Sequence, residues 1–150
     1  MKLYLIQHGI ALPKEKNPER PLSTQGETQT QRTAEYLKSR IIKVDAVWHS
    51  KKARAAQTAE IIADAIDCGK VQAREDLNPL DPVKKLPGEI LAFKTDLMIV
   101  GHLPFLQKLA GLLLTGSEKS DLFAFKNSGV LSLSYDETWK TDWYVPPEHM

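Results

Sequence analysis

Two histidines occupy matching positions in this sequence. His8 follows the apolar run Leu3-Tyr4-Leu5-Ile6 and precedes Gly9, and His102 follows Leu97-Met98-Ile99-Val100 and Gly101. Each run is rich in strand formers and too short for a helix, so each reads as a buried strand. Gly9 tolerates positive φ and lets the chain turn sharply after the first histidine. Both imidazoles then sit at the carboxyl ends of strands, where open α/β sheets bind ligands. A histidine displayed there can act as nucleophile, base, metal ligand or anion contact. Two arginines join them. Arg20 lies in the segment after the first strand, and Arg54 opens a helix, where backbone N–H groups already favour an anion. Two imidazoles and two guanidiniums around one rim suit a phosphoryl group, because a guanidinium fork matches its oxygens in pairs.

The elements that must hold these groups follow from pattern. Residues 11–21 carry prolines, mixed charge and no periodicity, which reads as a long surface loop. Ser23 can cap a helix that runs to about Arg40, and Thr24 with Glu27 also fits a capping box. Ala34, Leu37 and Ile41 would line its buried face. Val44 to Trp48 reads as the second strand, ending at His49-Ser50, with His49 a rim residue. Lys52 to Ile66 reads as a helix that Gly69 ends, and Val71 to Arg74 as a short strand. Residues 75–90 read as a second long loop with one helical turn near Leu91. Leu97 to Val100 is an uninterrupted apolar strand suited to the centre of a parallel sheet. Pro104 suits the first turn of the next helix, Phe105 to Leu114. Candidate strands follow at Leu122–Phe125, Val130–Tyr135 and Trp139–Val145, and His149 looks incidental. The alternation implies one α/β domain over residues 1–150, a three-layer sandwich with a mostly parallel sheet and helices on both faces. Both histidine-bearing strands then end on the same side.

Composition narrows the chemistry further. The chain has 150 residues, 42% hydrophobic and 26% charged, as expected for one globular domain. A net charge of +1 gives no global field toward nucleic acid or a membrane surface. No apolar run approaches the roughly 20 residues of a membrane span. Cys68 stands alone, which excludes a disulfide framework and suits a reducing cytoplasm. Cys68 and Arg74 have the spacing of a cysteine phosphatase loop, but the stretch follows a helix and enters a strand, the reverse of what that loop needs. No carboxylate or cysteine lies at ligand spacing from His8, His49 or His102, so no metal and no cofactor is expected.

Four ordered segments carry a resemblance to a known family. They are Leu5-Ile6-Gln7-His8-Gly9, the stretch from Glu19 to Gly26 that reads Glu-Arg-Pro-Leu-Ser-Thr-Gln-Gly, the stretch from Ser50 to Ala59, and Val100-Gly101-His102-Leu103-Pro104. Their order and spacing resemble the histidine phosphatase superfamily, with its phosphoglycerate mutase-like fold, and within it the small SixA-like phosphohistidine phosphatases. The resemblance implies that His8 is a nucleophile that becomes phosphorylated. It implies that Arg20, Arg54 and His102 surround the phosphoryl oxygens beside Gln7 and Gly9, and that no metal takes part. The implied partner is a phosphorylated protein, such as a histidine phosphotransfer domain, or a small phosphorylated substrate. Two cationic neighbours should lower the pKa of His8 and keep it nucleophilic.

The sequence departs from that family in three places. Gln7 stands where most relatives have arginine, replacing a charged fork of N–H donors with one neutral amide. This implies a weaker or more selective phosphatase, or a module that binds phosphate without turnover. The loop after the third strand has no clear match to the general acid of larger members, and Asp81 and Asp76 are the candidate stand-ins. A missing strong acid disfavours alcohol esters and favours phosphohistidine, whose protonated imidazole leaves readily. Lys51 replaces a frequent proline and adds a cation at the rim.

Overall fold

The computed structural model describes residues 1–150. In chain order it contains β1 (Lys2–Gln7), α1 (Thr24–Ser39), β2 (Ala46–Ser50), α2 (Ala53–Ala65), β3 (Val71–Arg74), α3 (Leu86–Phe93), β4 (Leu97–Gly101), α4 (Phe105–Thr115), β5 (Val130–Asp136) and β6 (Thr138–Val145), and it closes on a 3-10 turn at Pro147–His149. The strands form one six-stranded sheet in the order β3-β2-β4-β1-β5-β6. β3, β2, β4 and β1 run parallel, whereas β5 and β6 are antiparallel.

Alternation along each strand creates the three layers. Leu3, Leu5, Leu97, Ile99, Leu131 and Leu133 face one way and pack on Leu86 and Ile90 of α3 and on Phe105, Leu106 and Leu109 of α4. Tyr4, Ile6, Met98 and Val100 face the other way, against Ala34 and Leu37 of α1 and Ala55, Ala59 and Ile62 of α2. Full burial of each such Leu or Ile contributes roughly 1.5–3 kcal/mol. The central strands therefore need apolar residues at every position, as the unbroken runs in β1 and β4 provide. No helix is long and apolar enough to cross a membrane.

Several sequence expectations need correction. Leu122–Phe125 is not a strand. The segment instead packs Phe123 and Phe125 against Tyr144 while Gln107 holds the Phe123 carbonyl. β2 lies two residues later than its apolar run suggested. Its pairing with β3 and β4 takes in His49 and Ser50, while Val44 packs against the helical core outside the sheet. Ile41 leaves the α1 face altogether, with φ 57° and 77% exposure just past the helix end. The turn expected near Leu91 is the helix α3, which begins earlier because Leu86 and Ile90, four apart, both anchor in the core. Pro87 in its first turn forfeits only an N–H that had no helical partner. His149 belongs to an ordered turn beside buried Pro147.

Candidate functional site

The pairing of β1 with β4 brings the two histidines together. Gln7 lies opposite Gly101, and the His8 N–H donates to the Gly101 carbonyl at 2.9 Å. One residue further on, the His8 and His102 rings have centroids 5.0 Å apart, inclined at 54°.

His8 Nδ1 lies 2.7 Å from the Gly9 carbonyl oxygen. A carbonyl only accepts, so Nδ1 carries the proton and Nε2 keeps its lone pair. The His8 carbonyl accepts from Asn127 Nδ2 at 2.9 Å. The next N–H, on Gly9, donates to Thr58 Oγ1 at 2.9 Å, and that hydroxyl donates to the Arg54 carbonyl at 2.8 Å. The loop that follows His8 is thus tied to α2.

Gly9 does not adopt positive φ. Its need is steric, since a Cβ there would lie 2.6 Å from Thr30 Oγ1 and 2.9 Å from Leu22 Cδ2. Gly26 meets the same constraint one turn into α1, where a Cβ would collide with the Ile10 carbonyl oxygen. Helix α1, with Ser23 as its cap through a 3.0 Å bond from the Gly26 N–H, therefore presses directly on the chain that leaves the histidine.

The loop that carries Arg20 is pinned. Ala11 and Leu22 form an isolated antiparallel bridge, and the Leu22 N–H donates to Gln57 Oε1 at 2.7 Å. Arg20 sits at φ 50°, a left-handed backbone that costs a non-glycine residue on the order of 1 kcal/mol. Its Nε donates to the Leu12 carbonyl at 3.2 Å. Neither Arg20 nor Arg54 forms an ion pair, and the buried Arg54 Nε has no protein partner. Arg54 also lies in the first turn of a helix with no acidic residue there and no side-chain cap. Positive charge therefore accumulates without protein compensation.

Burial and these cations keep both imidazoles neutral. The His8 pKa is lowered to about 4, first by burial and then by Arg54 and Arg20, against the opposing Gly9 hydrogen bond. The direction agrees with the sequence expectation, but burial exceeds the effect of the arginines. His102, 1% exposed, is lowered to about 3 by burial, then by His8, Arg54 and Lys52. Burial also lowers the Arg54 pKa, with Arg20 adding to it.

The remaining expected residues divide. Gln7 is at the site, its carbonyl accepting from the Ser128 N–H at 2.9 Å and its Oε1 buried without a partner. Asp76 is engaged elsewhere, in a two-point pair with Arg74 at 2.8 and 2.6 Å. The Asp81 carboxylate accepts from the Asn78 N–H at 2.8 Å and closes its own turn. Lys51 is paired with Glu75 at 2.7 Å. His49 lies inside β2, 8% exposed and bonded through Nδ1 to the Ser50 carbonyl, and is a buried strand residue where a rim position was expected. No group of three or more His, Cys, Asp or Glu side chains is arranged to hold a metal ion.

Sequence reasoning missed Ser50, Thr58 and Asn127. Ser50 Oγ lies 2.6 Å from His102 Nε2. Ser50 and Thr58 fall within a segment already singled out, four residues either side of Arg54. Asn127 had no local signal, because it reaches His8 from 119 positions away.

Known proteins resemble this chain in sequence and in fold. Residues 3–82 match the family described as Histidine phosphatase superfamily (branch 1). An uncharacterised protein of Picosynechococcus sp. (strain PCC 7002) is 31% identical, over 89% of this chain and 84% of its own. The phosphohistidine phosphatase SixA of Escherichia coli (strain K12) is 24% identical over 98% of this chain and 94% of its own. A structure of the protein histidine phosphatase SixA complexed with tungstate superposes with a TM-score of 0.89 at 24% identity, covering 99% of both chains.

Proposed function

This chain belongs to the histidine phosphatase superfamily, branch 1, and from that premise we propose that it is a phosphohistidine phosphatase acting through a phosphorylated His8. The observation that carries the reading is the Nδ1–H bond from His8 to the Gly9 carbonyl, which leaves Nε2 unprotonated. Nε2 attacks the phosphorus of a phosphorylated imidazole, and the N–P bond to His8 forms as the donor's N–P bond breaks. The donor reacts in its imidazolium form, with a proton on the other ring nitrogen, and so leaves as a neutral imidazole. Water then attacks the His8-bound phosphoryl group. The second N–P bond breaks, inorganic phosphate is released, and the water proton passes to phosphate or solvent.

Arg20 and Arg54 neutralise charge on the equatorial oxygens, the main requirement of phosphoryl transfer. His102 donates to one of those oxygens. The tungstate bound by the SixA relative is a tetrahedral oxyanion of the kind such a cluster suits. Gln7, with a neutral amide, supplies less stabilisation than an arginine would. Asp76 and Asp81 are both engaged in local bonds. With both of these loop acids engaged, a phosphoramidate is favoured over an alcohol ester, whose alkoxide leaves poorly without a proton. The substrate class is a phosphohistidine borne by a protein such as a histidine phosphotransfer domain, and neither metal nor cofactor takes part.

Phosphate release from a phosphorylated histidine phosphotransfer domain, with phosphoserine and a sugar phosphate in parallel, tests this reading in the presence of a chelator. Turnover of the phosphohistidine donor that disappears in His8→Ala supports it. Turnover of the small phosphoesters alone replaces it with a general phosphoesterase. An inert wild type that becomes active as Gln7→Arg identifies a module that binds phosphate without hydrolysing it.

A further inference from the structure

Ser50 is fully buried, and its hydroxyl makes the shortest side-chain contact at the rim, 2.6 Å to His102 Nε2. The direction of that bond decides what His102 can do. A neutral imidazole has one N–H and one lone pair. If Nε2 held the proton, Nδ1 would present a lone pair, which repels a phosphoryl oxygen. If Ser50 donates, Nδ1 holds the proton and becomes a donor.

Two observations favour the second arrangement. The Lys52 N–H donates weakly to Ser50 Oγ at 3.4 Å, occupying a lone pair of the oxygen and leaving its proton for Nε2. His102 Nδ1 is buried and has no protein partner. Buried polar atoms left unpartnered by a protein are rare and call for a ligand or a functional account. Nδ1 belongs to a ring 5.0 Å from that of His8, within reach of a phosphoryl group passing between them.

We propose that Ser50 is a positioning residue that donates its hydroxyl proton to His102 Nε2 and thereby fixes the tautomer whose Nδ1–H binds a phosphoryl oxygen. β2 delivers this residue because its pairing extends through His49 opposite Val100 and Ser50 opposite Arg74, bringing the strand's last side chain beside the end of β4. The proposal rests on the phosphatase reading for the role of His102, but the tautomer itself does not.

Long-range proton–nitrogen spectra of the wild-type protein near pH 7.5, with His102→Gln for assignment, read the tautomer directly. The expected result is an Nδ1–H tautomer for His102 that gives way to a mixture or to Nε2–H in Ser50→Ala. In turnover, Ser50→Ala should lose kcat by about 10- to 100-fold with little change in KM, the scale seen when a group that orients a ligand side chain is removed. Ser50→Thr, which keeps the hydroxyl, should restore both the tautomer and kcat. An Nε2–H tautomer in the wild type, or one indifferent to Ser50→Ala, overturns the proposal. So does an unchanged kcat in Ser50→Ala. A Ser50-dependent Nδ1–H tautomer in a protein that hydrolyses nothing supports the hydrogen-bond assignment and overturns the phosphatase reading instead.

Discussion

Arg54 and Arg74 are both partly buried guanidiniums beside the same sheet, and they differ in what balances them. Arg74 lies 4.4 Å over the Trp48 ring and meets Asp76 and Glu89, each at 2.6 Å through Nη2. Its pKa is raised, chiefly by the hydrogen bond to Asp76. Arg54 has no carboxylate partner, carries a buried unpartnered Nε, and has its pKa lowered by burial and by Arg20. An arginine surrounded by acids and an aromatic face holds structure together. One held beside another arginine at a helix N-terminus stores unfavourable charge that an anion relieves. The same contrast explains why the Cys68-to-Arg74 spacing is accidental, since that arginine is already neutralised.

Substitution tests the contrast most directly. Arg54→Ala should lower kcat on the order of 100- to 1,000-fold, the range for losing one donor to developing oxyanion charge. Its stability in urea should be unchanged or higher. Arg74→Ala should do the reverse, leaving turnover near wild type and lowering stability by about 2 kcal/mol, as for lost charged hydrogen bonds. If Arg74→Ala abolishes turnover without destabilising the fold, the division between the two arginines is wrong.

Gln7→Arg sharpens the comparison by adding a third uncompensated guanidinium. Phosphatase activity should rise on the order of 100-fold, and urea stability should fall because the new charge also lacks a carboxylate.

The pH dependence follows from the two imidazoles, whose native pKa values, about 4 for His8 and about 3 for His102, lie below the ordinary 6.5. Between those values and 6.5 the unfolded chain binds more protons, so stability rises with pH across that window. It is therefore progressively lost as pH falls from 6.5 toward 3. Urea unfolding across this range should show that loss, and His8→Ala should flatten part of it. The smallest effect is expected at the rim. Glu75→Gln frees Lys51 from a pair whose side chains are 58% and 83% exposed, and should leave the urea midpoint essentially unchanged.

How much of this was legible in the sequence depends on how local the signal was. The strands that carry His8 and His102 were readable because burial on both faces demands uninterrupted apolar residues. Arg54 was readable from its place at the start of a helix. Leu122–Phe125 failed because its composition suits a strand equally well, and its anchoring on Tyr144 and Gln107 is a product of tertiary packing. Gly9 was singled out for the wrong reason, since the close approach of α1 cannot be seen from residues 1–9. Arg20 could be placed in a loop, but its left-handed backbone and the bridge that pins it are products of tertiary packing. Asp76 and Asp81 were plausible acids until their local bonds were visible. Ser50 lay beside a recognised segment, and its partner became evident only when β2 and β4 were adjacent.

The position of β1 in the sheet also constrains how the molecule can be made. β1 lies between β4 and β5, and its first pairing partner in the chain begins at Leu97. At 5–20 residues per second, a ribosome needs on the order of 5–20 seconds to complete that partner after β1 is synthesised. For that interval an apolar strand has no strand partner and only α1 and α2 to pack on, and it is open to capture by chaperones or by other nascent chains. The pairing that sets His8 beside His102 thus joins segments more than 90 residues apart, and the site can take shape only after most of the chain has been translated.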